Sequence, residues 1–206
     1  MHCPSMFREV RLDILHSLIT AHPLATLITA GSNGLLANLI PFTLHAEGEH
    51  GILRAHLARG NKQLEALREG ADALVVFHGP ECYVTPSWYP SKAEHGKVVP
   101  TWNFTMVQVR GKPRVFDDAT WVQAQINELT NRHESQREHP WKVSDAPDEF
   151  IAAQLKAIVG IEIPILAIEG KWKVSQNSQP ADRQGVIEGL RAEQACPSML
   201  TIMDTN

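Results

Sequence analysis

The sequence predicts an α+β fold centred on an antiparallel barrel, with its helices on the outside. Three features carry that expectation. The first 60 residues read as strand, turn and strand after a single helix. Six or more strand-like runs recur along the chain, bounded by glycine, proline and asparagine. The segments with helical spacing lie between and after these runs.

The elements follow in order. Residues 11–22 place Leu12, Leu15, Leu18 and Ile19 at helical spacing, and Pro23 ends the run. Residues 25–30 form a strand, Gly31-Ser32-Asn33-Gly34 a tight turn, and residues 35–44 a second strand. Residues 46–51 make a polar turn broken by Gly48 and Gly51, and residues 52–57 a third strand. Asn61 caps a short helix that runs to Arg68 and stops at Gly70. The valine-rich residues 73–77 read as a buried strand, Gly79-Pro80 as a turn, and residues 82–85 as another strand. Residues 86–100, with three prolines, read as a long loop of the kind that often carries function. Strands follow at 101–110 and 112–116, around Gly111. Asp117 or Asp118 caps a helix to about Arg132, the polar residues 137–147 link it to a helix at 147–158, and strands follow at 161–168 and 171–174. A last helix covers residues 180–193. The chain thus reads as a single domain over 1–193, with a loosely ordered tail at 194–206.

Composition excludes several classes. Hydrophobic residues are 43% and charged residues 20%, as in an ordinary globular chain. A net charge of -4 argues against a phosphate-backbone binder, and no helix-turn-helix with a basic recognition helix is visible, so direct DNA binding is not supported by charge or motif. The start has no apolar signal region and no apolar run reaches the length of a membrane span. Cys3, Cys82 and Cys196 form no CxxC pair, which fits a reduced, cytoplasmic protein without membrane association. The ten histidines include no HExxH and no close ligand triplet, so no metal site is expected. There is no GxGxxG, no GxxxxGK[ST] and no GxSxG.

Three strands carry polar stripes that suit an anionic ligand. Alternation puts Arg54 and His56 on one face and Leu53, Ala55 and Leu57 on the other, with Asn61 and Lys62 at the next helix start. Thr101, Asn103 and Thr105 share a face of their strand, flanking Trp102. Lys171, Lys173, Ser175 and Asn177 share one side of an extended segment. Solvent-facing positions of a one-sided sheet would give the same pattern. The loop Pro86-Ser87-Trp88-Tyr89-Pro90-Ser91-Lys92 reads equally as a ring cover or dimer contact and as a structural loop with Trp88 anchored in the core.

Longer motifs are more specific. Pro86-Ser87-Trp88-Tyr89, Lys97-Val98-Val99-Pro100-Thr101-Trp102-Asn103 and Gly170-Lys171-Trp172-Lys173 with Ser175-Gln176-Asn177 resemble the PaiB family. So do His22-Pro23-Leu24-Ala25-Thr26-Leu27, Ala37-Asn38-Leu39-Ile40-Pro41, His56-Leu57-Ala58-Arg59-Gly60-Asn61 and Phe77-His78-Gly79-Pro80, all in colinear order. The resemblance implies a split β-barrel that binds FMN, a homodimer with the flavin at its interface, and a negative transcriptional regulator. An FMN-dependent oxidoreductase or a haem-processing enzyme on the same barrel is the alternative. It points to Arg54, His56, Asn61 and Lys62 with Thr101, Trp102, Asn103 and Thr105 as cofactor contacts, and to Lys171, Lys173 and Gln176 as contributors from a partner subunit. The chain departs from the family pattern at Phe104, where a tyrosine is expected. Trp88 and Trp102 are the expected interface anchors.

Overall fold

The structure is a computed structural model and describes residues 1–32 and 34–205. Asn33 of the expected turn and Asn206 of the tail lie outside the described residues. Among the described residues there are nine strands and seven α-helices. In chain order they are β1 (Arg8–Glu9), α1 (Leu12–Ala21), β2 (Leu24–Gly31), β3 (Gly34–Pro41), β4 (Thr43–His45), β5 (Ile52–Ala58), α2 (Gln63–Arg68), β6 (Ala73–Val84), α3 (Ser91–His95), β7 (Thr101–Gly111), β8 (Arg114–Phe116), α4 (Ala119–Glu134), α5 (Asp148–Lys156), β9 (Ile158–Lys173), α6 (Pro180–Ala192) and α7 (Pro197–Thr205). The sheet order is β3-β2-β6-β7-β9-β5-β4, with β1 and β8 also paired to β9. The β2–β3, β2–β6, β4–β5 and β5–β9 pairings are antiparallel, as are those of β1 and β8. Among the described residues no helix is long and apolar enough to cross a membrane.

The chain forms two compact units. One comprises Met1–Leu18, His78–Val107 and Glu169–Asn206, the other Ile19–Phe77 and Gln108–Ile168. They are called here the first and second units.

The core of the second unit follows from strand alternation. Leu53, Ala55 and Leu57 of β5 are buried and face the equally buried Ile163, Ile161 and Val159 of β9 in register. Apolar cross-strand pairs of this kind are the basic unit of sheet stability. Gly160 is glycine for a packing reason: a Cβ there would sit 2.2 Å from the Trp121 ring of α4. Trp121 in turn stacks on Phe116 with centroids 4.5 Å apart. Of the two candidate caps for α4, Asp118 is the one used. Its carboxylate accepts the amides of Thr120 at 2.7 Å and Trp121 at 3.3 Å. Asp118→Ala should therefore destabilise the protein by about 1 kcal/mol, the usual worth of an N-cap, read as a lower urea midpoint with unchanged slope.

In the first unit, Cys82 and Val84 of β6, Val174, three residues of α6 (Val186, Ile187, Leu190) and Met199 and Met203 of α7 form one buried cluster. The tail expected to be loose is thus a helix, because Met199 and Met203 lie on the apolar face that α6 leaves open; both are fully buried.

Other boundaries differ from expectation. Gly79-Pro80 is not a turn, since β6 runs unbroken from Ala73 to Val84. Gly79 is needed for close approach: a Cβ would lie 2.2 Å from Thr105 Oγ1. The two expected C-terminal strands are the single strand β9, continuous through Gly170, where a Cβ would meet Leu15 Cδ2 at 2.2 Å. Residues 35–44 instead split into β3 and β4 at Phe42, whose buried ring meets Phe77 edge-on at 6.0 Å. The loop at 86–100 holds a 3-10 turn, Pro86–Trp88, and the short helix α3. Residues 137–147 do link α4 to α5, with a 3-10 turn at Val143–Asp145.

Candidate functional site

The predicted site residues fall into two groups, one in each unit. In the second unit, β5 shows the expected alternation, with Arg54 and His56 on the face opposite the buried Leu53, Ala55 and Leu57. Arg54 is not a free cation. Its Nε donates to Glu162 Oε2 at 2.9 Å, and one terminal nitrogen lies 3.4 Å from His45 Nδ1. Glu162 is only 7% exposed, so this ion pair is largely withdrawn from water. His45 also faces Glu128 at 3.1 Å. His56 Nδ1 lies 2.8 Å from Gln125 Oε1, a carbonyl oxygen that can only accept. Asn61 accepts the Gln63 amide at 2.9 Å and so starts α2 as expected. Lys62, beside it, is exposed and has no acidic partner among the described residues. Two other arginines of this unit, Arg59 and Arg68, share Asp117 at 2.6 and 2.9 Å. The hydrogen bond from Arg59 is the main reason the Asp117 carboxyl lies below its ordinary range.

In the first unit, β7 turns the expected stripe inward. Asn103 and Thr105 are each 1% exposed, whereas Trp102 on the other face is 53% exposed. Asn103 Nδ2 donates to Ser175 Oγ at 2.9 Å, and the Thr105 hydroxyl has no hydrogen-bond partner. Ser175 does not continue the lysine stripe. It takes a left-handed φ of 62° after β9 ends and its side chain turns in to Asn103. Gln176 is spent on backbone, accepting from Val174 N at 2.7 Å and donating to Met6 O at 3.1 Å.

Lys171 and Lys173 do share a face. Lys173 Nζ donates to Thr101 Oγ1 and to the Trp102 carbonyl, the latter at 2.6 Å. Lys171 Nζ lies 5.3 Å from the Phe104 ring centroid and donates to the His2 carbonyl at 3.1 Å. Phe104, the departure from the family pattern, thus serves as a cation–π face. Neither lysine meets a carboxylate in any ion pair of the described residues. Partial burial, and then the neighbouring Lys171, hold the Lys173 ammonium below its ordinary pKa. Such a cation gains from an anionic ligand, which would relieve both effects.

Beside this pair, Tyr83 meets Trp102 edge-on with centroids 5.9 Å apart, and it is 48% exposed. Sequence reasoning passed over Tyr83; its alternation with the buried Cys82 and Val84 was the available signal. Trp88 takes the structural role, since a Cβ at Gly189 would be 2.4 Å from its ring. A separate apolar cleft of about 470 Å³ in the second unit is lined by Ile28, Leu35, Leu74 and Leu166 among others.

The fold defined by these strands is an α+β antiparallel split barrel, with helices peripheral to the sheet. The chain belongs to the family described as "Putative FMN-binding domain", whose model matches residues 1–167. An uncharacterized protein of Emericella nidulans is 38% identical, over 92% of this chain and 90% of its own length. The protease synthase and sporulation protein PAI 2 of Bacillus subtilis is 26% identical, over 94% of this chain and 91% of its own, which bears out the PaiB resemblance. Among solved structures, the FAD and heme binding protein from Mycobacterium smegmatis superposes with a TM-score of 0.59 at 20% identity, covering 81% of this chain and 73% of that one. The flavocytochrome Anf3 from Azotobacter vinelandii gives 0.57 at 12% identity, covering 81% and 69%. At these identities the two structures speak to the fold alone.

Proposed function

We propose that this chain binds flavin mononucleotide and acts as a negative regulator of transcription that responds to the flavin. The family supports the cofactor, and the regulatory role is what the resemblance to the PaiB family implies. The observation that carries the cofactor reading is the division of cations. Arg54, Arg59 and Arg68 are already paired with Glu162 and Asp117, whereas Lys171 and Lys173 of the first unit have no carboxylate partner among the described residues. A phosphate dianion is held by cations whose charge is not already compensated. Thr101 adds a hydroxyl at Lys173, and Trp102 and Tyr83 offer exposed aromatic faces suited to a planar ring. The donor set therefore fits the group.

When bound, the flavin supplies redox chemistry of its own. The residues of this chain have three tasks. Lys171 and Lys173 would hold the phosphate, Trp102 and Tyr83 would cover the ring, and the Asn103–Ser175 hydrogen bonds fix the end of the lysine strand against β7. The net charge of -4 directs regulation through a protein partner rather than through a helix that reads DNA. A homodimer of two-fold symmetry is part of this reading, supported by Leu35, Leu39 and Leu166, large apolar side chains left 78%, 65% and 67% exposed in the second unit.

The test is a visible absorption spectrum of the purified protein, followed by FMN titration, addition of reduced nicotinamide, and retention on promoter DNA with and without cell extract. Flavin bands, no steady nicotinamide oxidation, and DNA retention only with extract are the expected results. A colourless protein that takes up no added FMN defeats the cofactor reading. Sustained nicotinamide oxidation moves the protein to the oxidoreductases.

A further inference from the structure

A second feature of the first unit is independent of any flavin. Cys82 of β6 is 2% exposed, inside the cluster that also holds Met199 and Met203 of α7. Cys196, in the connection between α6 and α7, packs against the same cluster, which brings its thiol within reach of that of Cys82. Both are free thiols. Cys3 is placed elsewhere, its sulfur against the carbonyls of Pro4 and Gly170.

The connection that carries Cys196 is strained. Gln194 and Cys196 both adopt left-handed φ values, 52° and 47°, which side-chain-bearing residues seldom take. Such a conformation persists only where surrounding contacts hold it. The Cys196 carbonyl also begins α7, accepting from Met199 N at 2.9 Å and Leu200 N at 3.1 Å. One residue therefore both starts the last helix and touches β6. Otherwise α7 is held by its two buried methionines, by the Arg191–Asp204 ion pair at 2.8 Å and by Arg183 donating to the Met203 carbonyl.

We propose that Cys82 and Cys196 form a reversible disulfide that fastens α7 to β6, making the C-terminal helix a redox-controlled element. The oxidant is a low-molecular-weight disulfide. Cys196, the more exposed of the two, reacts first. Its thiolate attacks one sulfur of that molecule, the external S–S bond breaks, one thiolate leaves, and a mixed disulfide remains on Cys196. Cys82 then gives up its proton to water and attacks the Cys196 sulfur, and the second external thiolate leaves. Two protein thiols are oxidised, one external disulfide is reduced to two thiols, and the released protons balance them. Burial raises the Cys82 thiol to about 12, so the second step is the slow one and quickens as pH rises. A thiol reductant reverses the sequence.

The full-length protein, fully reduced, is incubated with hydroxyethyl disulfide and followed by intact mass. The expected product is lighter than the reduced chain by two hydrogens. Trypsin cleavage after Arg191 should then leave residues 192–206 joined to the peptide holding Cys82, until reductant is added. Cys3→Ser should behave as wild type, and Cys196→Ser should lose the cross-link. Three results would overturn the proposal: no loss of two hydrogens in the wild-type chain, a cross-link through Cys3, or a mixed disulfide that stays on Cys196. Because the wild-type peptide map decides the pairing, the test stands even if a Cys82 variant does not fold.

Discussion

Lys173→Ala is expected to weaken FMN binding by about 2 kcal/mol, roughly thirtyfold, while leaving riboflavin affinity unchanged. The magnitude is that of a charge-assisted hydrogen bond to phosphate, and riboflavin lacks the phosphate. The loss should fall on affinity rather than folding, because the hydrogen bonds of the Lys173 ammonium among the described residues go to the Thr101 hydroxyl and the Trp102 carbonyl, at a half-exposed edge. Lys171→Ala should show the same direction with smaller size, since it shares its charge with the Phe104 ring. Arg54→Ala makes the sharper comparison. Its guanidinium already answers Glu162, so removing it leaves a buried carboxylate with only the longer Arg114 contact at 3.8 Å and should lower stability more than it lowers FMN affinity. Titration of FMN and riboflavin against the three variants, each checked by thermal unfolding, distinguishes the two roles. If Arg54→Ala loses FMN selectively and Lys173→Ala does not, the phosphate lies at β5 and the cation argument fails.

Gln63→Ala should produce the largest loss of stability of any single polar substitution considered, about 3 kcal/mol. Gln63 is wholly buried at the start of α2. Its Nε2 donates to the carbonyls of Leu27 at 2.9 Å and Leu36 at 3.2 Å, and its Oε1 accepts from Asn38 Nδ2 at 2.9 Å. One amide thus ties the β2–β3 hairpin to α2. Its removal takes a donor from two carbonyls and the acceptor from Asn38 Nδ2, and it opens a cavity; both effects act in the same direction. Gln63→Leu refills the volume but restores no hydrogen bond, so it should recover only the cavity part. Urea unfolding of the two variants separates these contributions. A loss below about 1 kcal/mol for the alanine variant would mean that water or a side-chain shift satisfies the hairpin.

Much of the fold was legible in the chain because its causes are local. The β5 alternation, the Asn61 and Asp118 caps, the helix ended by Pro23 and the apolar periodicity of α1 each depend on residues a few positions apart. The breaks were harder to read. Gly79 and Gly170 look like turn residues in one dimension, yet both stand inside long strands because Thr105 and Leu15 occupy the space of their missing side chains. Phe42 looks like one more strand position, yet its burial against Phe77 divides β3 from β4.

The same distinction governs the candidate site. Residue types and spacing marked Arg54, Lys171, Lys173 and Thr101 as groups able to meet an anion. Whether each charge is open or already answered depends on partners far along the chain. Glu162 lies 108 positions from Arg54, and Thr101 lies 72 from Lys173. Alternation likewise shows that Asn103 and Thr105 share a face, but which face is inward depends on what packs there: Ser175 turned back by its left-handed backbone, and the sulfur of Met203 in α7. Local chemistry sets what a side chain can do; the low dielectric and geometric closeness that decide what it does arise only when distant segments meet.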